Sequence, residues 1–212
     1  MSAIYRFKNA VPSSWKQLYH RALSQLAIFV YGDPSVELIV VGVTGTNGKT
    51  TTSLMIAEAI EGAGVKTAAI TTAVIKIADV QTQNTSKMTM PGRFALQRFL
   101  RKAVRAGCRY VVVETSSQGV HQHRHAGIRY DVAVFTNLTP EHIEAHGGFE
   151  AYKDAKLEFF RHTARRLPKI IDGKTIPKIA VVNADDEHAK DFELSGFETQ
   201  HFRKFTVDRN RL

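Results

Sequence analysis

A single cysteine, Cys108, stands in 212 residues, which excludes a disulfide framework and a cysteine-rich zinc site. It follows an alanine-glycine pair just before an apolar run, as a core residue would. No apolar run approaches the ~20 residues of a membrane span, and no leader with a cleavage site is visible. The expected location is therefore cytoplasmic. Internal repeats and low-complexity stretches are also missing. Acidic residues are outnumbered, 20 against 29 basic ones, giving a net charge of +9 and favouring anionic partners. The basic residues are spread along the chain, and their one dense cluster, residues 161–169, lies late in an expected helix. With no aromatic–basic interleaving for stacking on bases, nucleic acid is not expected. A nucleotide-linked substrate or an anionic membrane surface accounts for the charge equally well. What is present, 43% hydrophobic and 23% charged residues, is the composition of an ordinary globular domain.

The informative stretch is Gly42-Val43-Thr44-Gly45-Thr46-Asn47-Gly48-Lys49-Thr50-Thr51. A β-branched run over residues 38–43 ends in a glycine-rich turn, and a helical pattern begins near Lys49. Such a turn aims backbone N–H groups and the positive end of a helix dipole at an anion. Gly48-Lys49-Thr50 adds an ammonium for phosphate and a hydroxyl for Mg²⁺, which reads as a nucleotide triphosphate site. The first glycine of the generic pattern is displaced, since Val43 stands where it would fall.

Residues 1–36 read as a separate extension before the main domain of residues 37–212. A helix is expected from about Trp15 to Tyr31, with Trp15, Leu18, Tyr19, Ala22, Leu23, Leu26 and Val30 on one stripe. It either packs on its own domain or lies on a membrane surface, where aromatic and basic residues share an amphipathic segment. From residue 37 strands and helices alternate. Strands are expected at 38–43, 67–74, 109–114, 131–136 and 178–182, and helices at 49–63, after Pro91, at 149–166 and from about 186. Residues 75–80 extend the second strand or form a hairpin arm, and polar residues 81–90 read as a loop. The alternation predicts a mostly parallel, doubly wound α/β sheet with its ligand site at the strands' carboxyl ends.

Those ends carry chemistry. Val113 runs into Glu114-Thr115-Ser116-Ser117, Phe135 into Thr136-Asn137 with Glu141-His142 close behind, and Val182 into Asn183-Ala184-Asp185-Asp186. Glu114 with Thr50 suits Mg²⁺, which takes one or two carboxylates beside phosphate oxygens. Asp185 or Asp186 equally suits a helix cap.

Together these residues resemble the central ATP-binding domain of the Mur ligases, the ATP-dependent amide-forming enzymes of peptidoglycan synthesis. The likeness rests on Thr44 to Thr51, Glu114-Thr115-Ser116-Ser117, Gln122-His123-Arg124, Asn137-Leu138, Glu141-His142, His146-Gly147 and Ala155-Lys156. The displaced glycine is that family's usual form. The spacing is most similar to the UDP-N-acetylmuramoyl-tripeptide synthetase branch. The resemblance implies that Gly45, Thr46, Asn47, Gly48, Lys49, Thr50 and Thr51 hold ATP, with Asn183 near adenine. It implies Mg²⁺ ions on Thr50, Glu114 and His142, supported by a carbamylated Lys156. Lys49, Glu114, His142 and Lys156 become the catalytic set, and Thr89, Ser116, Gln122 and Arg124 the contacts to the UDP-N-acetylmuramoyl-peptide, an amino acid being the second substrate. Met90 replaces the second threonine of a Thr-Thr-Pro pattern, Glu141 the usual aspartate, and Gln118 a frequent histidine. The sequence also lacks the family's C-terminal ligase domain, which is expected in cis or in trans. A folylpolyglutamate-type ligase and a nucleotide-binding module that does not ligate are the alternatives.

Overall fold

The computed structural model describes residues 13–141 and 147–202. Its centre is β1 (Ile39–Thr44), six residues buried without exception. Such a strand has apolar cover on both faces, as parallel strands between helix layers do. Parallel neighbours flank it: β5 (Tyr110–Glu114) pairs Val41 with Val112, and β6 (Val132–Phe135) pairs Val41 with Val132. β2 (Thr67–Ile70) continues the parallel sheet beyond β5, while β9 (Ile179–Asn183) and β10 (Glu198–Phe202) continue it beyond β6. The sheet of eight strands runs β10-β9-β6-β1-β5-β2-β3-β4. Its last two members, β3 (Val74–Ile77) and β4 (Val80–Gln83), are antiparallel. The doubly wound, mostly parallel α/β class is the one expected.

Helices cover both faces. On one, α2 (Lys49–Gly62) seals Val41, Val43, Ala69, Val112 and Val134 with Ala57. On the other, α3 (Arg93–Arg105) and α5 (Phe149–Ala164) supply Leu96, Phe99, Leu100, Leu157, Phe159 and Phe160 to the larger core. Gly42 belongs to this packing. A Cβ there would sit 2.4 Å from Phe159 Cζ, so glycine lets α5 lie close on β1. The helix α1 (Ser13–Tyr31) forms an outer layer, touching α3 and the 3-10 turn His125–Gly127.

Several local expectations change. The strand expected at 67–74 stops at Ile70, because Thr71 closes a turn onto Val74 through both its N–H and its hydroxyl. The next residues run back as the hairpin arm that was one of the two expectations, and β4 takes residues 81–83 from the expected loop. Edge pairing, not apolar content, makes β4 a strand: its four residues are all exposed. The helix expected from 186 is a 3-10 turn, Ala189–Phe192. The helix after Pro91 starts at Arg93 with Gly92 as its cap. A separate hairpin, β7 (Lys169–Ile171) and β8 (Lys174–Ile176), turns on Asp172 and Gly173, both at positive φ. That Asp-Gly pair was its sequence signal. Lys169 is thus no part of a helix end. It is buried and pairs with Asp131, which also takes Lys178 at 3.0 Å and the Val40 N–H at 2.9 Å.

Candidate active site

The loop after β1 is shaped by two glycines. Gly45 has φ 152°, and a Cβ there would fall 1.9 Å from Thr136 Oγ1. Gly48 at φ 79° is the residue from which α2 starts. Neither backbone state suits a residue with a side chain. The strand end of β6 braces the loop from behind. Thr46 N–H donates to Asn137 O at 2.8 Å and Asn47 N–H to Asn137 Oδ1 at 2.8 Å, while Thr136 Oγ1 donates to Asn47 O at 2.8 Å. Tyr152 of α5 donates its hydroxyl to Thr46 Oγ1 at 3.1 Å, and Asn47 Nδ2 donates to Glu141 at 2.9 Å. The first N–H groups of α2 have no partner within the helix and face the space in front of the loop.

Two lysines converge on this loop from different elements. Lys49, the first residue of α2, folds back to donate to Thr46 O at 2.6 Å. Lys156, two turns into α5, donates to Gly45 O at 2.8 Å and sits 4.2 Å from the Tyr152 ring centroid. Lys156 is 1% exposed. Burial first, and then the charge of Lys49, push its ammonium down to about 7. Burial also lowers Lys49, with Glu114 and Glu141 opposing that shift. Each ammonium donates to a carbonyl and not to a carboxylate. The loop therefore holds concentrated positive charge that an incoming anion would neutralise.

Glu114, last in β5 and 2% exposed, stands opposite. It accepts from Thr50 Oγ1 at 2.9 Å, from Thr72 N at 2.7 Å and from Thr72 Oγ1 at 3.1 Å. Thr72 Oγ1 also shares a 2.7 Å hydrogen bond with Thr89 Oγ1. Thr72 was missed from sequence because β2 was read as continuing through it; the rule that strand ends gather at the site would have found it.

The sequence-expected substrate positions form a second cluster. Ser116 caps the short helix α4 (Ser117–His121), accepting from Gly119 N at 3.1 Å. Arg124 donates to Met90 O and Arg93 to Gln122 O. Met90 is buried, and a Cβ on Gly119 would stand 2.5 Å from its sulfur. Met90 is thus a packing residue that ties Thr89 to the Gln122–Arg124 segment. Thr51 is exposed in the first turn of α2, beside this cradle. Asn183 stands apart: buried, it donates to Thr136 O at 2.7 Å and accepts from Asp185 N at 3.1 Å, so its side chain holds strand ends together. Asp186 caps no helix, since the 3-10 turn starts after His188; its carboxylate instead accepts from Leu138 N and His188 N at 2.9 Å each, tying two loops together. His142 lies outside the described residues.

A parallel sheet flanked by helices, with lysines, hydroxyls and a carboxylate gathered round a glycine turn at its carboxyl edge, defines a doubly wound α/β domain with a switch-point site. The chain belongs to the Mur ligase family, whose middle domain matches residues 43–211. It is 40% identical over 173 residues to the UDP-N-acetylmuramyl-tripeptide synthetase of Roseiflexus sp. (strain RS-1), covering 81% of this chain and 34% of that protein. It is 42% identical over 166 residues to the UDP-N-acetylmuramoyl-L-alanyl-D-glutamate--2,6-diaminopimelate ligase of Geobacillus kaustophilus (strain HTA426), covering 78% and 32%. A solved structure of a ligase of the latter name superposes with TM-score 0.66 at 28% identity, covering 81% of this chain and 33% of that one. E. coli FolC in complex with DHPP and ADP shares the fold, with TM-score 0.55 at 17% identity over 94% of this chain and 54% of that one. The chain spans about a third of the length of the curated relatives it matches.

Proposed function

We propose that this domain is the ATP-binding centre of a ligase that joins an amino acid to a UDP-N-acetylmuramoyl-peptide during peptidoglycan precursor synthesis. The observation that carries this reading is the convergence of Lys49 and Lys156 on the carbonyls of Thr46 and Gly45, across from the Thr50–Glu114 pair. The residues suit the groups implied. Gly45 to Thr51 offer backbone amides and an ammonium to phosphates, and Thr50 and Glu114 offer the oxygen donors a hard Mg²⁺ ion prefers. Mg²⁺ would supply charge neutralisation and orientation of the phosphates.

In the reaction proposed, a substrate carboxylate oxygen bonds to the γ-phosphorus of ATP and ADP leaves. The amine nitrogen then bonds to the acyl carbon, phosphate leaves, and the amine gives up a proton. Lys49 steadies the phosphates. Lys156 is assigned carbamylation: an amine held near 7 is partly neutral at physiological pH, and the neutral amine is the form that adds CO₂, releasing one proton. The resulting anion lies on the loop's cationic side, where it supports a cation as a free ammonium would not. Thr89, Ser116, Gln122 and Arg124 line the sugar-peptide side in this assignment, with Asn183 acting through the strand ends. A folylpolyglutamate-type reading shares the fold at 17% identity with FolC, against 40% and 42% with the two ligases above, and a module that binds nucleotide without ligating would keep the Lys49 cradle.

Two measurements test the proposal. In calorimetry with Mg-ATP, Lys49→Ala weakens binding by about 1.5–3 kcal/mol, the worth of a charge-assisted contact; equal affinities overturn the phosphate assignment. Carbon-13 NMR in labelled bicarbonate shows a carbamate signal that Lys156→Ala removes; an identical signal in the variant excludes Lys156.

A further inference from the structure

The helix α1 is seated back to front. Small residues take the closest places against the domain: Ser24 and Ala27 are buried, and His20, Leu23, Ile28 and Tyr31 are partly so. Arg101 of α3 fixes the seat, donating to Tyr31 O and Gly32 O at 2.8 Å each and to Glu37 at 2.8 Å. Part of the apolar stripe, joined by Phe29, is left pointing outward. Tyr19 is 61% exposed, Leu26 50%, Phe29 84% and Val30 57%. These side chains span ~17 Å along the axis at 1.5 Å per residue, a contiguous apolar strip that a globular surface rarely leaves uncovered.

The surroundings state what would cover it. Residues 13–31 contain no aspartate or glutamate, and neither do residues 93–105 of the neighbouring α3. Arg98, Lys102 and Arg105 are exposed along α3, with Phe94 38% exposed on the same face. An apolar, aromatic-bearing strip beside exposed cations, with the Glu37 carboxylate at the seat already paired to Arg101, matches a layer that is anionic at its surface and apolar beneath. A second copy is disfavoured, because a two-fold contact through this face would bring together two surfaces whose helices carry basic and no acidic residues.

We infer that the outward face of α1, flanked by the cations of α3, docks this domain peripherally on an anionic lipid bilayer. Tyr19, Leu26, Phe29 and Val30 enter the headgroup–acyl boundary while Arg98, Lys102 and Arg105 pair with lipid phosphates. This docking is independent of the ligase chemistry, since none of these residues belongs to the loop or to its partners. It is reversible attachment, not a span: no helix among the described residues is long and apolar enough to cross a membrane.

Sedimentation of the 212-residue chain with vesicles tests it. The chain sediments with vesicles containing phosphatidylglycerol and not with pure phosphatidylcholine, and the binding fades as salt rises past the screening range. The double variant Leu26→Glu/Phe29→Glu lowers partitioning at least tenfold while its circular dichroism is unchanged, because both side chains are already exposed. Removing one cation, as in Lys102→Gln, lowers it about fivefold, the factor equivalent to ~1 kcal/mol per basic residue. Equal sedimentation with both vesicle types, no sedimentation with either, or vesicle binding untouched by the double variant would overturn the inference. So would a concentration-dependent dimer that the double variant abolishes while vesicles bind neither protein.

Discussion

The helices α1 and α5 are both amphipathic, and they make opposite use of it. α5 turns Tyr152, Leu157, Phe159 and Phe160 onto the sheet and carries a lysine, Lys156, into the interior with them. α1 turns Ser24 and Ala27 inward and leaves Phe29 and Val30 in solvent. A stripe in a sequence therefore says that a helix has two faces, not which face the protein buries. α5 meets β1, where Gly42 opens room for Phe159 and Tyr130 stands edge-on to that ring at 4.9 Å. α1 meets α3 and the turn at Gly127, a shallow seat that admits Ser24, Ala27 and Ile28.

The contrast can be broken at its strongest point. Phe160→Ala removes a fully buried ring stacked edge-on to Phe159 and Phe192, so it should cost about 3–5 kcal/mol in urea unfolding. A cost below ~1 kcal/mol would mean that α5 is not seated as described. Next in size is the pH dependence that Lys156 confers. Its folded value is about 7 against an ordinary ~10.4. Below about 7 both states hold the proton and the burial penalty is fully present. As pH rises from 7 towards 10.4, the native amine has lost its proton while the unfolded one keeps it, so stability rises. Relative to Lys156→Met, the protein should gain roughly 2–3 kcal/mol between pH 7 and 9; parallel profiles would place Lys156 in water. Smallest is Phe29→Ala on the outer face of α1, which should change stability by less than ~0.5 kcal/mol. A loss of several kcal/mol there would show the stripe already covered, erasing the contrast and the lipid-docking inference with it.

Much of this was readable beforehand. β1, β5 and β6 are valine-rich, mostly apolar runs, so their burial on both faces follows from their composition. The Gly45–Gly48 turn and the Lys49 helix start announce themselves through residues adjacent in the chain, and Glu114 through its place at the end of an apolar run. The relation of Thr50 to Glu114 followed as well, because parallel strands bring their carboxyl ends together whatever their order. The polar β4 was not readable, since edge pairing makes it a strand without apolar content. Gly42 could be counted among the loop glycines, but only its distance to Phe159 shows it to be a packing residue.

Local sequence thus determined the central strands, the glycine turn and the family they resemble, because backbone preference and apolar runs act between near neighbours. Contacts across a hundred residues decided the rest. Apart from the family resemblance, Lys156 reads as an ordinary helix-surface lysine until its ammonium donates to Gly45 O, 111 positions away, at 2.8 Å. The outward turn of α1 likewise depends on Arg101, 70 positions from Tyr31. Burial and its electrostatic consequences belong to the surface a helix is set against, and that surface exists only once the sheet has formed.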